Sequence, residues 1–181
     1  MNNLRWLKNS LLLIGLHCGV SLADDNNYNL EFTGTIQAQT CDVDLSSLSQ
    51  SIDLGQFPID DFPSVGTVTK FKPFNINLRS CSRGISGTKI WFSGEADSND
   101  PSLLALTDTG MGNENIMATG VGIEILDDNQ DPVNINNSSS VVYPLKAGRN
   151  TLSFYIRYKS TLPKVTSGNA TAVMYFDLDY Q

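Results

Sequence analysis

Few side chains in this sequence are suited to acid–base or nucleophilic chemistry. Its one histidine is His17, and its three cysteines are Cys18, Cys41 and Cys81. A serine or cysteine nucleophile needs a base beside it, and His17 falls within residues 1–23, which have the pattern of an export signal. The 19 acidic residues always offer carboxylate pairs, which in a solvated acidic domain are more often surface charges than a glycosidase site. The sequence therefore predicts that the protein is not an enzyme.

A run of carboxylates and amides at 127–131, Asp127-Asp128-Asn129-Gln130-Asp131, could in principle bind calcium. It lacks the glycine at the sixth position and the glutamate at the twelfth that an EF-hand loop requires. Asp and Asn side chains also accept hydrogen bonds from their own backbone in turns, and this interpretation predicts a hairpin turn. We expect no metal and no other cofactor.

The charge balance excludes one class of partner. Lys and Arg number 12 against 19 Asp and Glu, for a net charge of −7. An acidic surface repels phosphate backbones, so we expect no nucleic-acid partner. With 181 residues, 40% of them hydrophobic and 17% charged, the chain has enough apolar material for one domain with a sizeable core.

Residues 1–23 have the pattern of an export signal. Arg5 and Lys8 precede an apolar stretch at 11–16, and Ser21-Leu22-Ala23 places small residues at the two positions that a signal peptidase reads. The apolar stretch is shorter than the roughly 20 residues that a bilayer span needs. We therefore expect export without stable membrane insertion.

Two other processing routes are less favoured. An uncleaved anchor is disfavoured by the length of the apolar stretch. A lipoprotein signal ending at Cys18 is disfavoured because the bulky His17 stands where a small residue is expected. We expect the mature chain to begin at Asp24, which leaves Cys41 and Cys81. In an oxidising compartment these two most simply form a disulfide, the alternative being two free thiols.

Alternation of apolar and polar residues at a period of two dominates the mature chain and predicts β-strands. The alternating or apolar runs occupy residues 28–36, 74–78, 89–92, 121–126, 152–158 and 170–180. Turn-forming sequences separate them, and no segment sustains a helical period. The pattern predicts one antiparallel β-sandwich domain. Trp91, which lies in an apolar run, is expected in the core rather than on the surface, where it could stack on a sugar ring.

Several segments follow one another in a distinctive order. They are a leading alternation with Gly34 before Cys41, Ile52-Asp53-Leu54-Gly55, Phe74-Asn75-Ile76-Asn77-Leu78-Arg79-Ser80-Cys81, Phe92-Ser93-Gly94, Gly122-Ile123-Glu124-Ile125, Leu152-Ser153-Phe154-Tyr155, and a tail from Gly168 to Tyr180-Gln181. In this order, behind an export signal, they resemble the subunits of chaperone–usher pili, specifically the type 1 fimbrial class. The stretch 92–106 resembles the minor, tip-adaptor subunits more than the main rod pilin.

The resemblance implies an all-β fold, namely an incomplete immunoglobulin-like β-sandwich of six strands that lacks the seventh. It divides the chain into a signal peptide (1–23), an N-terminal donor-strand extension (24–38) and a pilin domain (39–181). The open groove would expose apolar core and an unpaired strand edge, which is an aggregation hazard.

The resemblance also implies partners and site residues. A periplasmic pilus chaperone would lend a strand to the groove, an outer-membrane usher would secrete the subunit, and the extension of a neighbouring pilus subunit would replace the chaperone's strand, a known mode of β-strand addition. The implied donor residues are Tyr28, Leu30, Phe32, Gly34 and Ile36. The implied groove edge, which also meets the chaperone, comprises Ala172, Met174, Phe176, Leu178, Tyr180 and Gln181.

The predicted function is that of a structural subunit of an adhesive type 1-like fimbria on the bacterial cell surface. The alternative is a single-domain adhesin that binds host glycan or protein. Such an adhesin would present an exposed aromatic patch of its own.

Overall fold

The computed structural model describes residues 33–34, 36, 38–111, 116–136 and 139–181. The chain divides into two compact units, residues 1–36 and residues 37–181. The second unit carries the fold. Of the first, only Thr33, Gly34 and Ile36 are described.

The described residues form eight strands, one short α-helix and one 3₁₀ turn. In chain order these are β1 (Asp42–Val43), α1 (Leu45–Leu48), the 3₁₀ turn (Ile59–Asp61), β2 (Lys72–Cys81), β3 (Gly87–Gly94), β4 (Val121–Leu126), β5 (Pro132–Val133), β6 (Val141–Pro144), β7 (Gly148–Ser160) and β8 (Met174–Tyr180). Alternating burial along β2 and β7 matches their apolar alternation, since one face of each strand packs inward.

Two antiparallel sheets make up the unit, so the predicted all-β sandwich is confirmed. One sheet has the strand order β1-β2-β7-β4-β5, and the other has the order β6-β3-β8. The strand predicted at 170–180 begins only at Met174. The sequence did not predict β1, β5 and β6, because strands of two to four residues are too short to show an alternation.

Aromatic rings from both sheets meet in the core. Phe92 of β3 and Phe154 of β7 are fully buried, and their ring centroids lie 4.9 Å apart, edge to face. Phe74 of β2 stacks on Phe154 at 5.4 Å. Fully burying a side chain of this size contributes roughly 1.5–3 kcal/mol, and these contacts hold the two sheets together.

Trp91 does not lie in the core, contrary to the expectation from its apolar run. Its neighbours Ile90 and Phe92 are both 0% exposed. Successive residues of a strand point to opposite faces and residues two apart share a face, so Ile90 and Phe92 both face inward. Trp91 stands between them and is half-buried on the outer face of β3.

The predicted disulfide is present and joins Cys41 to Cys81 across 40 residues of sequence. The β2–β7 pairing becomes irregular between Leu78 and Cys81, where Ser80 has a positive φ of 53°. Asn150 Nδ2 lies 3.2 Å from Cys81 Sγ and donates to it. The bridge therefore ties the chain just before β1 to the end of β2.

The acidic run at 127–131 forms a turn, as the sequence predicts. Asp127 Oδ1 accepts hydrogen bonds from the backbone N–H groups of Asn129 and Asp131, both at 2.9 Å. Among the described residues, no group of three or more His, Cys, Asp or Glu side chains is placed to hold a metal ion. No helix in the described part of the chain has the length and hydropathy to cross a bilayer.

Candidate functional site

Strand β8 is an edge strand of the smaller sheet. Among the described residues it pairs with β3 alone. Gly87 N donates to Gln181 O at 3.2 Å, and Gln181 N donates to Gly87 O at 2.8 Å. This exchange marks Gly87 and Gln181 as a hydrogen-bonded pair and fixes the phase of the whole ladder.

The phase of the ladder determines where the backbone of β8 points. In an antiparallel pair, hydrogen-bonded and non-hydrogen-bonded residue pairs alternate. The pairs Thr88–Tyr180, Ile90–Leu178, Phe92–Phe176 and Gly94–Met174 are therefore non-hydrogen-bonded. The N–H and C=O groups of these four β8 residues point away from β3, toward the open edge.

The side chains of the same four β8 residues face the core. Met174, Phe176, Leu178 and Tyr180 are half-buried and pack against the core, as does Ala172 just before the strand. The intervening side chains, Tyr175, Asp177 and Asp179, are exposed on the outer face. The predicted edge residues thus present apolar side chains on one side of a strand whose free backbone groups face outward.

Backbone contacts fix one end of this edge. Ser86 donates to Gln181 O through its backbone N–H at 2.8 Å and through its hydroxyl at 3.0 Å. Thr88 Oγ1 lies 3.1 Å from Asp179 O. Gln181 is therefore held against the turn that joins β2 to β3.

Strand β1 of the larger sheet lies beside this end. Burial raises the pKa of Tyr180, and the Asp42 carboxylate raises it further. A carboxylate affects a phenol in this way only when it is near. The half-buried Val43, next to Asp42, also packs against the core.

At the other end, the segment leading into β8 is held by Tyr158. Its hydroxyl donates to Ala170 O at 2.6 Å. Burial raises the pKa of Tyr158 to about 12, with a smaller contribution from the Asp53 carboxylate. The ring of Phe57 meets Tyr158 edge to face at 5.9 Å. The open edge is thus flanked by β1 at one end and by residues 53–57 at the other.

Most of the predicted donor residues, Tyr28, Leu30 and Phe32, lie outside the described residues. Of the two that are described, Ile36 is fully exposed. A Cβ atom added to Gly34 would meet no atom within 4 Å. The exposure of a large aliphatic side chain at Ile36 leaves it available to a partner.

Sequence reasoning missed an outer-face cluster on the smaller sheet. Trp91 stands directly opposite Asp177, and Ser93 opposite Tyr175, so these side chains share one face. Tyr175 is 65% exposed. The signal that could have found this cluster is the alternation along β3. Because Ile90 and Phe92 face inward, Trp91 between them must point outward.

Comparisons with known proteins agree on the type of fold and family. The family model described as "Fimbrial protein" matches residues 30–181. An uncharacterized fimbrial-like protein of Escherichia coli K12, YcbU, is 43% identical over 170 residues, covering 93% of this chain and 92% of that protein. The fimbrial subunit type 1 of Salmonella typhimurium is 36% identical over 154 residues, covering 84% and 82% respectively.

A solved structure extends the similarity to three dimensions. A chain of a chaperone–usher pilus matches with a TM-score of 0.64 and 25% identity, covering 87% of this chain and 97% of that chain. The family match spans the whole unit that carries the β8 edge.

Proposed function

The chain belongs to the Fimbrial protein family, and from that membership we propose that its β8 edge receives one β-strand from another protein, which completes the sandwich. The chain is a structural subunit of a bacterial surface fimbria and not an enzyme. One observation carries the proposal. The β8 residues whose apolar side chains face the core are the ones whose backbone groups face the open edge.

We propose that the added strand is the N-terminal extension of a neighbouring subunit. In this chain the extension has five alternating positions, Tyr28, Leu30, Phe32, Gly34 and Ile36, which match in number the five from Ala172 to Tyr180. An antiparallel strand would place one series opposite the other on the core face. Its four large side chains, at roughly 1.5–3 kcal/mol each, supply on the order of 10 kcal/mol before ordering costs.

Subunits of chaperone–usher pili polymerise with neighbouring subunits. We propose the further partners on the same physical ground, because an open edge is an aggregation hazard until it is covered. A periplasmic chaperone would cover β8 and Gln181 first, and an outer-membrane usher would exchange it for the next extension. The processing that this requires is removal of residues 1–23, which leaves 24–38 as extension and 39–181 as pilin domain.

The position of the subunit in the fibre is a finer proposal. The resemblance of residues 92–106 to tip-adaptor subunits supports a minor subunit near the tip. Labelling native fibres with an antibody against this chain tests it. Sparse labelling at fibre ends is expected, and continuous labelling along the shaft would contradict it.

The test of strand addition uses the full mature chain and a synthetic peptide of residues 24–38. The peptide is expected to form a one-to-one complex by native mass spectrometry and to raise the melting temperature with its concentration, because it binds only the folded chain. A peptide with Gly34→Leu is the matched control and should insert poorly if Gly34 passes a shallow pocket. Equal effects of the peptide and a scrambled version would overturn the proposal.

A second candidate function, that of a single-domain adhesin, is favoured by the outer-face cluster. An exposed aromatic ring stacks on the apolar face of a sugar, and a neighbouring carboxylate accepts its hydroxyl hydrogen bonds. Trp91 and Tyr175 supply such rings, and Asp177 supplies the carboxylate. Binding of the wild-type chain, but not Trp91→Ala, to an immobilised glycan array would support this role. If the wild-type chain binds no glycan on the array, the adhesin role is excluded.

A further inference from the structure

The end of the sandwich next to the disulfide carries a group of cations, here called the basic collar: Arg79, Arg83, Lys146 and Arg149. All four side chains are exposed. The pairing of Cys81 with Gly148 brings their segments together. Asn150 reinforces this, since its amide bonds both to Lys146 O, at 2.7 Å, and to Cys81 Sγ, at 3.2 Å.

The basic collar surrounds the point where the N-terminal extension joins the domain. Ser82 N donates to Thr40 O at 3.0 Å, and Thr40 N donates to Ser82 Oγ at 3.2 Å. Thr40 is thus tied to the segment between Cys81 and Arg83. Asp42 and Asp44 also lie here, and Arg79 and Arg149 are among the groups that lower the pKa of Asp44. With four cations against these two carboxylates, the basic collar has two positive charges in excess.

The opposite end, where β8 begins, carries exposed carboxylates, here called the acidic mouth: Asp53, Glu95 and Asp108. Glu95 follows Gly94, the partner of Met174. Thr107 N donates to Thr171 O at 2.7 Å, which places Asp108 beside the segment entering β8. Lys164, on the segment between β7 and β8, and Lys72, which lines the same pocket as Asp53, also lie at this end, so the mouth keeps one carboxylate in excess.

These charges are only partly offset within the part of the chain that the structure describes. Its ion pairs all belong to a cluster in which Glu124 binds Arg157 and Lys159, and Lys159 reaches Asp100. No collar or mouth residue takes part. Each is therefore available to a charge on another molecule.

The direction of strand addition brings the two charged surfaces together. A strand antiparallel to β8 ends, in its own N-to-C direction, beside the start of β8, at the acidic mouth. The five residue-to-residue steps from Ile36 to Cys41 span at most roughly 17 Å. A subunit that donates its extension must therefore place its own basic collar close to the acidic mouth of its acceptor.

We propose that the basic collar of one subunit docks on the acidic mouth of the next copy, as a second contact beside the inserted strand. The inference rests on the proposed strand addition. Exposed charges of this kind add little to affinity, but complementary surfaces accelerate association and fix orientation. The contact steers the donor's extension to the open end of the groove and sets the angle between successive subunits.

The experiment measures the rate at which full mature chains associate, by native mass spectrometry over time, at about 10 mM and about 1 M salt, where the Debye length falls from roughly 30 Å to 3 Å. Association is expected to slow by roughly tenfold or more at high salt. The peptide of residues 24–38 lacks the collar, so high salt should not slow its insertion. If the peptide fails to insert, strand addition itself has failed. If it inserts while chain association is salt-independent or absent, only the docking is overturned.

A charge-reversal cycle locates the contact. The acceptor variant Glu95→Lys/Asp108→Lys and the donor variant Arg83→Glu/Arg149→Glu should each associate roughly tenfold more slowly at low salt, and combining all four changes in one chain should restore the rate. The matched control is Asp128→Lys/Asp131→Lys, the same change of charge in the exposed β4–β5 turn, which should leave the rate near that of the wild type. Equal slowing by the control, or no rescue in the combined variant, would overturn the docking.

Discussion

Tyr158 shows how a single residue links the core to the open edge. Its ring is buried in the core while its hydroxyl holds Ala170 O at 2.6 Å, just before β8 begins. The sequence placed Tyr158 on an inward-facing alternation but gave no sign of the Ala170 contact, because the two residues are joined by an irregular segment whose path no periodicity encodes.

We predict that stability falls as the pH rises from about 10 to about 12. The phenol of Tyr158 ionises near 10 in the unfolded chain but only near 12 in the folded one, so in this window the unfolded state binds fewer protons and gains relative to the folded state. Below pH 10 the contribution is complete. Tyr158→Phe should flatten part of this slope, and only part, because burial also raises the pKa of Tyr143.

The measurement is urea unfolding of the wild type and Tyr158→Phe from neutral pH to about 11. The variant should also lose about 1–3 kcal/mol at neutral pH, since Ala170 O loses its donor. Tyr175→Phe, at an exposed position, is the matched control and should change neither the stability nor its slope. A variant slope equal to that of the wild type would contradict the assignment.

The disulfide was predictable at the level of single residues, because two cysteines in an exported chain have one simple pairing. Replacing both cysteines, as Cys41→Ser/Cys81→Ser, should lower the free energy of unfolding by about 3–4 kcal/mol, because the unfolded chain without the cross-link has more conformational entropy. Adding a thiol reductant to the wild type should reproduce that loss in urea unfolding and leave the variant unaffected. Equal stability of the two proteins would argue against a stabilising bridge.

At the scale of elements, short apolar runs predicted the middle of β3 and all of β4, whose six residues are all buried. Alternation predicted β2, β7 and all of β8, because one face of each packs against the core. It could not predict the edge position of β8, which depends on which strands become neighbours. Nor could it predict the direction of the β8 backbone groups, which the Gly87–Gln181 exchange fixes. The extension at 28–36 shows the same alternation, but its role as a donor remains a proposal.

The two faces of β8 should respond differently to truncation. Phe176→Ala removes a half-buried ring from the open edge, so the peptide of residues 24–38 should dissociate at least about tenfold faster, corresponding to about 1.4 kcal/mol of lost contact. Tyr175→Ala removes a ring of similar size from the outer face and should leave dissociation unchanged. Competition with unlabelled peptide measures both rates. Equal effects would place the bound strand elsewhere.

At the scale of the whole molecule, the two ends of the sandwich carry opposite charges. The basic collar lies beside the disulfide, and the acidic mouth lies at the start of β8. Overall composition reported the net charge of −7 but not this distribution, because the collar residues come from segments more than sixty positions apart. Heterologous contacts of this head-to-tail kind generate fibres when the rotation between successive subunits does not close a ring.

We predict that a chain lacking residues 24–36 can accept a strand but cannot donate one. It should bind the peptide of residues 24–38 as tightly as the wild type and, when mixed with the wild type, should shorten the fibres seen by electron microscopy. Wild-type fibre length in such a mixture would show that the extension is not the donor. Loss of peptide binding would show instead that the extension belongs to the chain's own fold.

The phase of β8 leaves a partner no room for a small error in alignment. Every second residue of the incoming segment must supply both its backbone bonds and its buried side chain, so a slip by one position would turn the polar set inward, and a slip by two would misplace every side chain by a whole pocket. A strand can therefore be misaligned only by whole residues, and each such slip mismatches every position at once. The fibre can reject a wrong neighbour by an all-or-none mismatch, without needing fine discrimination at any one contact.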